Sequence, residues 1–399
     1  MTSVEEAKQI ILAHKMPQHT ETVPLGESLH KVLAQDIFAD RDAPPFHRVT
    51  MDGIAIRASR LQEKKGFPIE NIQAAGHPQL TLKDENHCME VMTGAVLPEN
   101  TDCVIPYEQL RIENGTAYVT DGTFTAHQNV HMQGTDARQG EVLFRSGLHI
   151  NPGAVGVMAT VGVENVSVIK APKIIICSTG DELVDIDEKP LPHQIRKSNV
   201  YMLQTALKEF GIEANTIHLA DDLDILEREL KKLLDENDIL LFSGAVSKGK
   251  YDYLPEVLEK LGVNKKIHGI RQKPGKPFLF GQMDDRLVFG FPGNPASTMT
   301  CFHLYFKPWL MTHLGLEGGK TTAVLSEDVV FQRPVTYHLL VKVDTAGATL
   351  TATPVRNSGS GDLIHLAEAD GILSLPADQE RFPKGDKFPL TYLTNKWLL

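Results

Sequence analysis

The stretch DILLFSGAVSKGKYDYLPEVLEKLG, Asp238–Gly262, decides the fold. A short apolar run, DILLF, enters a glycine- and lysine-bearing turn, and LPEVLEKLG then reads as a helix closed by Gly262. The same order recurs on either side. KIIIC (Lys173–Cys177) runs into STGDE, and RLVFGF (Arg286–Phe291) runs into PGNPAS and a long helical segment. Between them, SNVYMLQTALKEFG has Ser198 as an N-cap, apolar Leu203, Leu207 and Phe210, and Gly211 as a stop. A strand-like EANTIHLA and a helical DDLDILERELKKLLDEN follow. Strands alternating with helices predict a parallel, doubly wound α/β domain. STGDE, SGAVSKGKYD and PGNPAS then gather at the carboxyl edge of one sheet, where open α/β sheets bind ligands.

Outward from this domain the pattern changes. The first thirty-five residues predict two helices around MPQHTETVPLG. Ser3 and Glu6 form a capping box on the first, with Ile10, Ile11 and Leu12 on its apolar side, and the second starts at Ser28. Ala43 to Asp136 carries short strands and Gly/Pro turns, as in ENGTAYVTDGTF, and predicts a β-rich insert. Gly140 to Lys170 mixes helix and strand signals, with NPGAVGVMATVG as a short helix. From about Lys320, AVLSEDVVFQRPVTYHLLVKV and GILSLP predict a small β-barrel or sandwich. The expected division is 1–43 with 137–170 as a helical/mixed domain, 44–136 as the β-rich insert, 171–316 as the α/β domain and 317–399 as the β tail.

At 399 residues the chain exceeds one core. A formal net charge of −11 argues against general nucleic-acid binding, which needs a basic face. Cys88, Cys103, Cys177 and Cys301 are scattered with no C-x-x-C pair, which fits buried reduced thiols. The N-terminus lacks an apolar signal region and no segment is long and apolar enough to cross a bilayer, so the expectation is a cytoplasmic protein without a membrane partner.

Chemistry concentrates in the loops. Gly244, Gly249 and Lys250 fit the G-x-x-x-x-G-K of a P-loop, but Tyr251 stands where Ser or Thr would hold Mg²⁺. A tyrosine oxygen lies several bonds too far out, so the P-loop reading fails on mechanism. Glycines still let backbone N–H groups converge on an anion. Lys248, Lys250, Arg271, Lys273 and Lys276 cluster around these loops within an acidic chain. They read either as a solvated face or as a pocket for a phosphorylated or oxyanionic small molecule. In KPGKP (Lys273–Pro277), two prolines and a glycine display two ammonium groups at a fixed separation. Asp52-Gly53 reads as a turn, and Asp136 and the Asp181-Glu182 pair read as helix caps or as metal-binding carboxylates.

PPFHRVTMDGIAIR, MTGAVLP, STGDELV, IRKSN, SGAVSKGKYDYLPEVLEKLG, KPGKPFLFG and FPGNPAS occur in an order that resembles the molybdopterin molybdenumtransferases. This is the MoeA family, which includes the E domain of gephyrin. The resemblance implies a multidomain protein with a MogA-like α/β domain. It implies insertion of molybdate into adenylylated molybdopterin, Mg²⁺-dependent, with release of AMP and formation of molybdenum cofactor. By the same resemblance Asp52, Glu182, Asp252, Lys273 and Lys276 are catalytic, and Glu182 and Asp252 hold the metal. Thr93, Asp136, Ser243, Gly244, Ser247, Pro277, Pro292, Gly293, Asn294, Ser297, Arg333 and Ser360 bind substrate. A homodimer is implied, with a molybdopterin adenylyltransferase as a further partner.

Several positions depart from the family pattern. Val49 or Thr50 and Ile54 replace a serine and a tyrosine around the MDG segment, and His131 and Thr135 replace an arginine and a glutamate. Lys197 precedes the S-N pair in place of aspartate, and Ala245 interrupts SGGVS where a close backbone approach favours glycine. These departures are what a non-catalytic relative, a binding or scaffold protein, would show. The retained acidic and lysine positions favour the enzyme over that alternative and over an unrelated phosphoryl-transfer enzyme.

Overall fold

The computed structural model describes residues 1–63, 66–220, 222–244, 246, 253–316, 318–346, 349–356 and 358–393. The chain forms two compact units, one of Met1–Thr22, His30–Val32 and Ser167–Leu399, the other of Val23–Leu29 and Leu33–Val166.

In the first unit a six-stranded sheet runs in the order Asn215–Leu219, Ile174–Thr179, Ile239–Ser243, Arg286–Phe291, Leu279–Met283, Asn264–His268. The first four strands are parallel, as the sequence predicts. Of the last two, Leu279–Met283 runs antiparallel to both its neighbours, so Asn264–His268 again runs in the direction of the first four. The physical reason lies between Met283 and Arg286, where only Asp284 (φ 51°) and Asp285 intervene and a loop that short can only reverse the chain. Alternate residues feed two cores. Ile174 and Ile176 face Leu203, Leu207, Phe289 and Phe302, whereas Ile175 and Cys177 face Leu230, Leu234, Leu240 and Phe242. Burial on both faces explains why these strands are continuous apolar runs.

Helix Asn199–Lys208 has Ser198 at its N-cap, but the serine side chain makes no capping hydrogen bond. Leu223–Glu236 is capped by Asp222, whose carboxylate accepts from the Ile225 amide at 3.0 Å. Helix Pro295–Cys301 continues through a π-helical turn, Phe302–Phe306, into Lys307–His313. The Val4–Ala13 helix has the predicted capping box. It buries Val4, Ala7 and Ile11 in the core shared with Phe280 and Phe306, while Leu12 points to solvent.

The C-terminal strands decide between barrel and sandwich. Thr321–Leu325, Thr336–Ala346, Thr349–Pro354, Gly371–Leu375 and Lys387–Tyr392 form a ring closed by pairing of Thr336–Ala346 with Gly371–Leu375. Leu325, Leu339, Val341, Leu373, Leu375 and Phe382 fill it. The two-residue strand Gln272–Lys273 pairs with Thr336–Tyr337, so the KPGKP segment is fastened to the barrel.

The second unit holds the predicted β-rich sheet, in the order Cys103–Pro106, Gly53–Ile56, Cys88–Val91, Gly66–Gln73, Thr116–Val119, Leu110–Glu113. The short helix Pro152–Thr160 is capped by Asn151. The helix predicted from Ser28 is absent. Only a 3₁₀ turn, Leu25–Glu27, forms, Ser28 Oγ donates to the Leu25 carbonyl at 2.7 Å, and His30 adopts a left-handed φ of 65° that a helix excludes. Neither Asp136 nor the Asp181-Glu182 pair caps a helix; each is followed by turn or strand. All four cysteines are buried and free, and burial pushes the Cys88 and Cys103 thiols up to about 12. Among the described residues no helix is long and apolar enough to cross a membrane.

Gly53 is a strand residue rather than a turn residue, and a Cβ there would lie 1.9 Å from the Ile105 carbonyl oxygen. Gly53→Ala therefore lowers stability by about 1–3 kcal/mol, read as a fall in the urea midpoint. His303, in the π-helical turn, is fully buried with neither ring nitrogen partnered among the described residues, and burial pushes its pKa down to about 3. The unfolded chain therefore binds the extra proton first, so stability is full above about pH 6.5 and falls as pH drops toward 3. His303→Leu flattens the fall in melting temperature between pH 6.5 and 5 while leaving the pH 8 value unchanged or higher; an unaltered pH slope would contradict this.

Candidate functional site

Strand register builds the site. Ser178 lies opposite Ser243, and Ser243 opposite Phe291, so the STG, SGA and PGN turns leave the sheet side by side. They floor a cleft of about 1370 Å³ in the first unit. Gly244 is at φ 101°, and a Cβ there would come 3.1 Å from Thr179 Oγ1. Glycine is thus what lets the second turn pass against the first. Asn199, the first residue of its helix, ties the second turn to the third. Its Nδ2 donates to Ser243 Oγ at 2.8 Å and to the Gly293 carbonyl at 2.7 Å.

The lining of the cleft also carries cations. Lys273, Lys276 and Pro277 of the KPGKP segment line it, with Arg271, and with Arg333 and Ser360 from the C-terminal region. Among the described residues none of Arg271, Lys273, Lys276 and Arg333 forms an ion pair. Lys273 Nζ lies 5.5 Å from the centre of the Phe331 ring, which stacks on Tyr337 at 4.2 Å. Beneath the segment, Gln272 is buried as a hub. Its Oε1 accepts from the Tyr305 hydroxyl and from His338 Nε2 (3.1 Å), and its Nε2 donates to the Gly275 carbonyl at 2.9 Å. His338 Nδ1 accepts from Ser374 Oγ at 3.0 Å. Burial pushes the His338 pKa down to about 3, so the hub is neutral near pH 7.

Pro292, Gly293, Asn294 and Ser297 line the same cleft. Asn294 Nδ2 donates to Ser360 Oγ at 2.8 Å, and the Ala296 amide donates to the Ser360 carbonyl at 3.1 Å. Downstream, Asp362 accepts from the Ser358 amide and hydroxyl, both at 2.9 Å, and from His365, which holds its carboxyl well below the usual carboxylate range. The serine-glycine loop is thereby pinned at both ends.

Glu182 is the described carboxylate from the predicted set that lines this cleft. Lys197 also lines it, paired with Asp185 at 2.9 Å. Ala245, Ser247 to Tyr251 and Asp252 lie outside the described residues. Among the described residues no group of three or more His, Cys, Asp or Glu gathers to hold a metal ion.

Asp52, Thr93 and Asp136 belong to the second unit. Asp52 Oδ1 accepts from the Thr93 amide at 2.6 Å and hydroxyl at 2.7 Å, and the hydroxyl bond foremost lowers its pKa. Asp136 meets His131 Nε2 at 2.9 Å, and His131 Nδ1 meets Arg48 at 3.0 Å. Arg48 thus supplies a guanidinium beside the position where the family arginine has become His131. Arg48, Asn199, Gln272, Thr179 and Tyr337 were not singled out from sequence. Arg48, Thr179 and Asn199 lie within quoted motifs (PPFHRVTMDGIAIR, STGDELV and IRKSN), whereas Gln272 and Tyr337 are fixed by contacts between distant segments.

Comparison with known proteins matches the chain in three successive parts. Residues 2–162 match the MoeA N-terminal region (domain I and II), 175–312 the probable molybdopterin binding domain, and 322–393 the MoeA C-terminal region (domain IV). A molybdopterin molybdenumtransferase from Synechocystis sp. is 42% identical over 396 residues, covering 98% of this chain and 99% of that protein. One from Staphylococcus epidermidis is 31% identical, covering 96% and 94%. Two crystal structures of the moeA protein from Pyrococcus horikoshii superpose with TM-scores of 0.83 and 0.80 at 29% and 28% identity, covering 99% and 98% of this chain and 100% of each of theirs. With strand-end loops, cationic segment and barrel all within these full-length matches, the chain belongs to the MoeA family of molybdopterin molybdenumtransferases.

Proposed function

We propose that this protein is a transferase of molybdenum cofactor biosynthesis that inserts molybdate into adenylylated molybdopterin and releases AMP. The observation that carries the reading is one cleft that joins three strand-end turns to Lys273, Lys276, Arg333 and Ser360. A diphosphate and a molybdate are multiply charged oxyanions, and four cations without ion pairs among the described residues suit them. In this reaction the dithiolene sulfurs take the metal as the adenylyl group leaves. The chain's own residues act by position and charge. Lys273 and Lys276 hold oxyanion charge at a fixed separation, Ser360 donates its hydroxyl hydrogen because its oxygen already accepts from Asn294, and Ser243, Gly244 and Ser247 cradle phosphate. Pro277, Pro292, Gly293, Asn294 and Ser297 shape the walls.

Mg²⁺ fits the donor chemistry in one form. It is commonly held by one or two carboxylates together with substrate phosphates, so Glu182 with Asp252 suffices without an all-protein cage. When bound, it neutralises diphosphate charge. Asp52, Thr93 and Asp136 are proposed as further substrate contacts, on the strength of the family resemblance. The same resemblance supports a homodimer, a cytoplasmic location, a molybdopterin adenylyltransferase partner, and modules at 1–43 with 137–170, 44–136, 171–316 and 317–399. The retained Glu182, Lys273 and Lys276 favour the enzyme over a scaffold role.

Incubation with adenylylated molybdopterin, Mg²⁺ and molybdate is expected to release AMP only when molybdate is present. Binding without molybdate-dependent release would overturn the enzyme reading. Lys276→Ala is expected to lower kcat/KM by about 10²-fold, the usual cost of one oxyanion-stabilising group, with the melting temperature unchanged. Asp252→Asn is expected to raise the Mg²⁺ concentration needed for half-maximal turnover. Full activity of Lys276→Ala, or an unshifted Mg²⁺ requirement for Asp252→Asn, would remove that residue from the site.

A further inference from the structure

We infer that Gln272 is the positioning residue of Lys273 and Lys276, and that the barrel orients it through a hydrogen-bond chain with one fixed direction. This role rests on the reading of the cleft as an oxyanion site, and it concerns what sets the geometry of the two lysines. The turn between them is poor in holds of its own. Pro274 and Pro277 have no amide hydrogen, and Gly275, at φ 85°, has the widest backbone freedom of any residue type. Backbone pairing secures the two ends. Gln272 and Lys273 pair with Thr336 and Tyr337, and the Lys276 carbonyl accepts from the Ile270 amide at 3.0 Å. Between them, the Gly275 carbonyl accepts from a side chain, Gln272 Nε2, at 2.9 Å. That bond spans Lys273 and Pro274 and ends one residue before Lys276, so it fixes the turn between the two ammonium groups.

The direction of the chain follows from its ends. The Gly275 carbonyl can only accept, so the amide atom facing it is the nitrogen, and Oε1 is turned to Tyr305 and His338. Oε1 can only accept, so His338 Nε2 carries the ring hydrogen. Burial foremost, with the Lys8 charge beside it, keeps this ring neutral, and Nδ1 is left as the acceptor for the Ser374 hydroxyl at 3.0 Å. Hydrogens therefore point one way, from Ser374 and His338 on barrel strands, through Gln272, to Gly275.

Reversing Gln272 or His338 would set acceptor against acceptor. That cost is high because Gln272, Tyr305 and His338 are none of them more than 2% exposed. Stability alone does not call for such a chain, since apolar groups of the same shape pack at little or no loss. What the polar chain adds is a single orientation, and it presents Lys273 and Lys276 at one separation before a ligand arrives.

A double-mutant cycle separates positioning from stability. Calorimetric titration of the full chain with inorganic pyrophosphate, and separately with molybdate, reads affinity in the parent, Gln272→Met, Lys276→Ala and the double variant. Gln272→Met keeps the side-chain length and removes both polar ends. It is expected to weaken binding of at least one anion by about threefold to tenfold, the worth of one neutral hydrogen bond. In the Lys276→Ala background the same change is expected to cost less than about twofold, because the lysine it places is gone. Equal factors in the two backgrounds would overturn the inference, as would unchanged affinity in Gln272→Met or a parent protein that binds neither anion. Should Gln272→Met fail to fold, Tyr305→Phe carries the same cycle, since it removes one donor to Oε1 and keeps the ring. It is expected to cost about threefold in the parent and nothing measurable beside Lys276→Ala, and the same contrary results count against it. Failure of molybdate-dependent AMP release with the coupling intact would sink the enzyme reading and leave this role standing. Equal factors in a protein that does release AMP would sink this role alone.

Discussion

Backbone pairing of Ile174–Thr179 with Ile239–Ser243, and of that strand with Arg286–Phe291, holds Ser178, Ser243 and Phe291 in one row. A parallel ladder does this because its strands run the same way, so their carboxyl ends share an edge. Were one of these strands antiparallel, its loop would leave from the far edge and the cleft would lose a wall. The hairpin of Leu279–Met283 with Arg286–Phe291 meets this condition with its short turn at the opposite edge. The two apolar cores enforce the arrangement, since a one-residue slip would exchange Ile174 and Ile176 with Ile175 and Cys177 across the sheet.

Two side-chain braces convert that edge into a site. Asn199 binds the second turn to the third, and Gln272 fixes the KPGKP segment through Tyr305, His338 and Gly275. Gly275 (φ 85°) meets the second brace so closely that a Cβ would stand 2.9 Å from Gln272 Nε2. The braces are neutral, and among the described residues Lys273, Lys276 and Arg333 form no ion pair. A cleft with braced polar supports and several cations in its lining is preorganised for multiply charged oxyanions.

Much of the α/β fold was legible because its signals are local. Apolar runs, glycine stops and the Ser3–Glu6 capping box each depend on a few adjacent residues, and each appears where expected. The reading from Ser28 went astray for the opposite reason. Its helical spacing is overridden by the Ser28–Leu25 hydrogen bond and the left-handed His30, neither of which composition reveals. Gly53 carried a turn signal, yet its smallness serves the close approach of the Ile105 strand. In the site, the lysines and glycine loops stood out in sequence. Thr179, Asn199 and Gln272 did not, because their importance lies in which distant atoms they reach or fail to reach.

The sequence by itself determined the order of strands and helices, the family, and the segments from which the cleft is made, since these follow from periodicity, turn chemistry and ordered motifs. Only the tertiary structure decided that the C-terminal strands close into a barrel and that the KPGKP segment is sewn to it. It also decided that Arg271, Lys273, Lys276, Arg333 and Ser360 line the same cleft as the three strand-end turns. The physical reason is that closure, bracing and a shared lining are relations between residues far apart in the chain, and they exist only once the backbone has brought those residues together.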